Sequence, residues 1–189
     1  FDFKTAIEMT VTAFLQAPGF IYRSEFGQRA SGVAVVKLNH WEMASRLSYL
    51  LWASMPDPAL LTAAQANALG TRQELWAQAQ RMIGDPRARE VVRNFHRQWL
   101  SLWKLDRLDK DAKVYSAYAT TVGGLMAQEA DHFIDTAWWE DAGDMAGLLT
   151  SPFTFMNKDL AAFYGVSGPS GKSFEKVPFS DKKRGGLLT

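Results

Sequence analysis

Four helix-start signals recur at short intervals through the middle of the chain, and they confine it to a succession of short helices. Asn39 with Glu42, Asp57-Pro58, Thr71 with Glu74, and Asp85-Pro86 each stand directly before an apolar-periodic segment. In the first and third, a capping side chain is followed three residues later by a glutamate that can reach back to the cap's own backbone. In the second and fourth, an aspartate cap precedes a proline whose fixed φ suits the first helical position. Leu38 and Met43 occupy the staple positions around Asn39, so the helix they open should run to about Ala53. Gly70 and Gly84 supply the stops for the next segments.

The flanking sequence continues the pattern. Ile7, Val11, Phe14 and Leu15 fall on one face of a first helix that Pro18-Gly19 should end, and a polar, glycine-containing loop follows over 26–33. After Asp85-Pro86, the residues Ala88, Val92, Phe95, Trp99 and Leu102 recur at intervals of four and three, with Arg87, Arg89, Arg93 and Arg97 largely off that stripe. A longer helix is predicted over 120–139, with Val122, Leu125, Met126, Phe133 and Ala137 inward and Glu129 inside the same stripe. The last third changes character: 148–155 reads as turn-rich and apolar, 158–164 as a short helix and 165–171 as a glycine-rich connection. Only 33–36 and 174–179 read as strands. The expected fold is therefore all-α, an irregular multi-helix domain with short or no strands and a loop-rich C-terminal third. Residues 1–37 read as the end of a preceding helical module and a linker, and 38–189 as the main helical domain, or as one continuous domain with 1–37.

Composition removes several classes of function. With 47% hydrophobic and 22% charged residues in 189, the chain has ordinary globular composition. No apolar run approaches the roughly 20 residues of a membrane-spanning helix. Lysine plus arginine (21) nearly cancel aspartate plus glutamate (20), so a net charge of +1 gives no electrostatic case for nucleic acid. Cysteine is absent, which excludes disulfides, thiolate zinc sites, thiol catalysis and covalently attached haem c within these residues. The chain opens on Phe1 and closes on Leu187-Leu188-Thr189 without a polar tail. Neighbouring sequence is thus expected, and the last third is expected to pack against it.

Few residues suggest chemistry. Glu129-x-x-His132 puts a carboxylate and an imidazole on one helical face, as in ferritin-like di-iron sites. Such a site needs a second copy and further carboxylates, whereas the only other histidines are His40 and His96. No metal and no cofactor is therefore expected in this chain. Ser45, Ser48 and Ser101 lack a nucleophile-elbow context, and Gly171-Lys172-Ser173 lacks the earlier glycine of a phosphate loop. Seven tryptophans raise carbohydrate stacking, but Trp41, Trp52, Trp99 and Trp103 lie at helical spacings among leucines and read as core anchors. Of Trp138 and Trp139, adjacent on a helix, one should be exposed or cover an interface. Glu129, His132 and Arg46 are the catalytic candidates. An inward Glu129 would be costly unless paired, so a fork from Arg46 or Arg23 is expected on it, with Glu25 and Asp57 as alternative acceptors for those arginines.

Several stretches together carry a family resemblance: 17–25 (Ala-Pro-Gly-Phe-Ile-Tyr-Arg-Ser-Glu), 44–52 (Ala-Ser-Arg-Leu-Ser-Tyr-Leu-Leu-Trp) with Pro56-Asp57, Asp85-Pro86-Arg87, and Phe95 with Gln98-Trp99-Leu100. Glu129, Asn157 with Leu160-Ala161, Tyr164-Gly165 and the closing Arg184-Gly185-Gly186-Leu187-Leu188-Thr189 complete it. The chain resembles a domain of unknown function found in large tandem-domain proteins of planctomycetes and myxobacteria, many of which also carry a c-type cytochrome domain. The resemblance implies an exported, periplasmic or cell-surface, multi-domain parent whose haem, where present, sits in another segment, since Cys-x-x-Cys-His is absent here. The expected role is a helical scaffold or interaction module of that redox-linked parent, with other domains or chains as partners. The rival is a hydrolytic or oxidative enzyme domain working through carboxylates and arginines. A third role is assembly with other chains through exposed aromatics.

Overall fold

A computed structural model describes residues 2–27, 32, 35–111, 113–118, 120–140, 143–179 and 184–188. Among these the fold is predominantly α-helical, with nine α-helices and one two-stranded antiparallel sheet. The chain divides into two compact units, 1–82 and 83–189.

In the first unit, α1 (Phe3–Gln16) and α2 (Pro18–Ile21) precede α3 (His40–Trp52), α4 (Pro58–Gln65) and α5 (Arg72–Ile83), whose last residue passes into the second unit. The predicted starts appear as chemistry. The Asn39 side chain accepts from the Glu42 N–H while Glu42 returns to the Asn39 N–H at 2.9 Å, and Thr71 and Glu74 make the same reciprocal pair. Asp57 caps α4 through the Leu60 N–H at 2.9 Å, with Pro58 at the first position. Pro18 does not simply end α1; it opens α2 by the same logic. The small core gathers Ala44, Ser48 and Trp52 of α3, Leu60 and Ala64 of α4, Leu69, and Met82 of α5. The Trp52 indole N–H closes it by donating to the Met82 carbonyl at 2.9 Å, a carbonyl that the end of α5 leaves without a helical partner. Arg81 lies over the Trp52 ring and forks onto Asp57, linking the end of α5 to the start of α4.

The apolar face that the spacing predicts on α1 is exposed. Ile7, Val11, Phe14 and Leu15 are all open to solvent, and α1 has no buried residue. Of the predicted strand over 33–36, the first two residues lie outside the described ones and the remainder is irregular.

The second unit contains α6 (Pro86–Trp99), a 3-10 helix (Leu102–Arg107), α7 (Thr120–Asp135) continued by a π-helical turn (Thr136–Glu140), α8 (Met145–Thr150), β1 (Phe153–Met156), α9 (Lys158–Tyr164) and β2 (Glu175–Pro178). The stretch read as turns over 148–155 is thus the end of α8 and a strand. β1 and β2 pair antiparallel, from Phe153 opposite Pro178 to Met156 opposite Glu175. Asp85 caps α6 and Asn157 caps α9. One buried cluster joins Phe133, Ile134 and Ala137 to Leu148 and Phe153; another joins Met156, Leu160 and Ala161 to the partly buried Leu125 and Met126.

Two bidentate ion pairs join α6 to α7, Arg93 to Asp135 and Arg97 to Asp131. Partner numbers rise along one helix as they fall along the other, so the two helices run antiparallel. This seam keeps the first half of the predicted stripe of α6, Ala88 and Val92, and overrides the second, Phe95 and Trp99. Ala88, Val92 and His96 turn inward, while Phe95 and Trp99 are 58% and 50% exposed, because the arginines draw the buried face around to themselves. His96 is fully buried, with Nδ1 2.8 Å from the Val92 carbonyl and Nε2 facing the Trp138 N–H at 3.4 Å, which places the imidazole proton on Nδ1. Of the four tryptophans expected as core anchors, Trp41, Trp99 and Trp103 are about half exposed and only Trp52 is buried. The terminal leucines also divide, Leu187 packing on the first cluster of its own unit and Leu188 facing solvent.

Two adjacent glycines on α7 provide a test of this packing. A Cβ on Gly123 would lie 2.2 Å from the Leu105 carbonyl oxygen in the 3-10 helix, whereas a Cβ on Gly124 would meet open space. Gly123→Ala should therefore destabilise by about 1 to 3 kcal/mol through forced separation. Gly124→Ala should stabilise by about 0.5 to 1 kcal/mol through helix propensity. Urea unfolding of the two variants should move in opposite directions; equal shifts would contradict the close approach.

Candidate functional site

In the second unit a carboxylate, two hydroxyls and a guanidinium meet at a cavity of about 350 Å³ lined by α7, β1, α9 and the closing segment. Helical geometry decides which side of α7 faces it. Asp131 and Asp135 share the side turned to α6, and Glu129, two residues before Asp131, is rotated by roughly half a turn. Met126, Glu129, Ala130 and Phe133, at spacings of three and four, all line the cavity.

Glu129 is the polar centre. One of its oxygens accepts from the Thr154 hydroxyl of β1, and the other accepts from the Tyr164 hydroxyl of α9 at 2.6 Å. Apolar walls come from Leu102, Met126, Phe133, Phe179 and Leu187. Burial pushes the Glu129 carboxyl above the ordinary glutamate range; the two hydroxyls and the positive charge of Arg184 oppose that shift without cancelling it. Tyr164 is pushed far above the ordinary tyrosine range, first by burial and then by the negative charge of Glu129. Tyr164 thus keeps its proton and serves as a hydrogen-bond donor, while the Glu129 carboxyl holds its proton to higher pH than a solvated glutamate does.

The closing segment brings Arg184 to this place. The Gly186 N–H donates to the Ser151 carbonyl and the Leu187 N–H to the Leu148 carbonyl, both at 2.9 Å. Gly186 has φ +69°, and a Cβ there would stand 2.2 Å from the Leu149 carbonyl carbon, so the turn accepts only glycine without rearrangement. The Arg184 guanidinium lies 5.5 Å from the centroid of the Tyr164 ring.

The structure separates the three residues that the sequence marked as catalytic candidates. Glu129 lines the cavity. His132, one turn further along α7, is exposed and stacked on both Phe155 and Phe174, with ring centroids 5.6 and 5.2 Å away. Arg46 belongs to the first unit, where it forks onto Glu25. The expected partnership of Glu129 with Arg46 or Arg23 is therefore replaced. Two hydroxyls hold the carboxylate, Arg46 takes Glu25, which was the alternative acceptor, and Arg23 lies over the Tyr49 ring at 3.9 Å. Neutral donors serve here because Glu129 is only partly withdrawn from water. Among the described residues no three His, Cys, Asp or Glu side chains are grouped as metal ligands. Thr154 and Tyr164 were not marked by the sequence; only a tyrosine-glycine pair closing a short helix pointed near them.

Because the folded state raises the Glu129 pKa, it binds that proton more tightly than the unfolded chain does. This contribution to stability is complete below the ordinary glutamate pKa and is lost as pH rises through the raised value. Glu129→Gln cannot titrate, so its stability relative to the parent chain should improve as pH increases across that window. Tyr164→Phe, which removes a charge-assisted hydrogen bond, should cost roughly 1 to 3 kcal/mol at neutral pH. Denaturant midpoints between mildly acidic and neutral pH check both, and a pH-independent difference for Glu129→Gln would contradict the first.

Comparison with known proteins places residues 38–166 under a single family model, described as a protein of unknown function, DUF1592. No curated protein and no solved structure matches the chain.

Proposed function

The chain belongs to the DUF1592 family of proteins of unknown function, and we propose that it is a helical scaffold and interaction module of a larger extracytoplasmic, cytochrome c-associated protein. The cellular setting of this reading rests on the family resemblance set out above. The role rests on how the side chains are spent. Most of the well-placed charges are consumed within their own units: Arg46 by Glu25, Arg81 by Asp57, Arg93 by Asp135, Arg97 by Asp131, and Glu42 and Glu74 by backbone N–H groups. The observation that carries the reading is what remains open. Phe95 and Trp99 stack on each other on the solvent side of α6, and Trp103 follows on the 3-10 helix, each at least half exposed. Large aromatics presented on a rigid helix bury much area for little lost side-chain freedom, which suits a protein partner.

A second reading, an enzyme domain, is favoured by one feature only, the raised Glu129 carboxyl in its cavity. The two are separated in the intact parent protein. A photo-cross-linking residue at Phe95 or Trp99 should capture a neighbouring domain or chain, and Trp99→Ser should weaken that association by at least about ten-fold. Glu129→Gln should leave the association unchanged. Absence of any cross-link from the α6 aromatics, with α6 folded, would overturn the interaction role.

A further inference from the structure

The cavity beside Glu129 has a property that the interaction role does not use, a guanidinium on its wall that makes no ion-pair contact among the described residues. Arg184 lines the cavity and is exposed at its rim. Among the described residues its guanidinium has no carboxylate at ion-pair distance, and its contact is the face of Tyr164. Glu129, the nearest acidic group on the wall, is already held by two hydroxyls. We propose that this cavity binds a small organic monocarboxylate, its carboxylate on the Arg184 guanidinium and its apolar body against Leu102, Met126 and Phe133.

Each part of that ligand follows from the wall it meets. The planar guanidinium offers two parallel N–H donors, the pattern that matches a carboxylate. Thr154 and Tyr164 spend their hydrogens on Glu129, so neither hydroxyl can donate to an incoming anion; among the described residues that line the cavity, Arg184 is the charged donor that remains. A phosphate or a dicarboxylate would set more negative charge beside Glu129 than a monocarboxylate does. The remaining walls are apolar and a volume of about 350 Å³ lies at the small end of ligand pockets, which suits a body the size of a phenyl ring or a short alkyl chain. A site with one charged anchor among apolar walls selects its ligand by charge and volume together. The closing segment that carries Arg184 is pinned by Gly186 and Leu187 to α8 and to the residue after it, so the anchor is supplied by a docked stretch of backbone.

Isothermal titration of the full chain with phenylacetate and hexanoate provides the test, with phenylacetamide and phenethylamine as the neutral and cationic counterparts of the first. The carboxylates should bind with one-to-one stoichiometry, and phenylacetamide should bind at least about ten-fold more weakly, the range expected for losing a hydrogen-bonded charge. Arg184→Met should remove at least about ten-fold of the phenylacetate affinity, and Arg184→Lys, which keeps the charge without the fork, should fall between. Arg184 is exposed, so neither substitution is expected to unfold the unit, and circular dichroism of each variant confirms this. Failure of both carboxylates to bind, undiminished binding to Arg184→Met, or a preference for phenethylamine would each overturn the proposal. These outcomes do not bear on the α6 aromatics, so the interaction role stands or falls separately.

Discussion

The double fork between α6 and α7 is the constraint from which the second unit is built. Arg93 with Asp135 and Arg97 with Asp131 are two parallel ties one helical turn apart, and two such ties determine both the direction of the helices and their rotation about their own axes. Their energy is modest, since the arginine side chains remain about a third exposed. Their geometric effect is larger. With the arginines turned toward α7, His96 is carried into the interior and Phe95 and Trp99 are carried out. With Asp131 and Asp135 turned toward α6, Glu129 is carried to the opposite side, facing β1 and α9. A pair of ion pairs thus sets the position of both the aromatic surface and the carboxylate cavity.

His96 and Glu129 show two ways of keeping a polar group out of water. His96 is fully enclosed and uses one ring nitrogen as donor to the Val92 carbonyl and the other as acceptor from Trp138, so no bonding capacity is left over. Glu129 is only partly enclosed, and its two donors are neutral hydroxyls, which leave the charge uncancelled and the carboxyl raised. The first arrangement is closed and structural. The second leaves a carboxylate on the wall of an open cavity, and for that reason Glu129 rather than His96 belongs to the candidate site.

Much of this fold was legible in the sequence because its boundaries are local. Asn39 with Glu42, Asp57-Pro58, Thr71 with Glu74, and Asp85-Pro86 satisfy backbone groups within a few residues of themselves, and all four open helices where the spacing predicts them. The inward face of α7 was equally readable, since Val122, Phe133 and Ala137 are buried at helical spacing. The inward face of α6 was readable only in its first half, at Ala88 and Val92, and not at Phe95 and Trp99. Hydrophobic periodicity counts every arginine as solvent-facing, and the aspartates that draw Arg93 and Arg97 inward lie 42 and 34 residues away. Glu129 illustrates the same limit at the site: its inward position follows from its own helix, but Thr154 and Tyr164 are 25 and 35 residues distant and neither is charged, so nothing nearby in sequence marks them as partners.

The tryptophans extend the point from position to purpose. Trp52 and Trp99 have the same local signature, an indole closing an amphipathic helix, yet one is 4% and the other 50% exposed. The difference lies in what each helix end meets. The Trp52 N–H finds the Met82 carbonyl, left free by the end of α5, and Arg81 covers its ring. Among the described residues the ring contacts of Trp99 lie within α6, the ring of Phe95 stacked beside it and the edge of His96 behind. An apolar ring of this size loses roughly 25 cal/mol for each Å² left in water, so exposing two side by side costs stability that the unit could have recovered by burying them. The fold does not recover it, because the face that would enclose them is the one committed to the arginine forks. A surface left apolar by that constraint is available for contact with another protein, and the ion pairs that shape the second unit thereby also determine which side of it is free to bind.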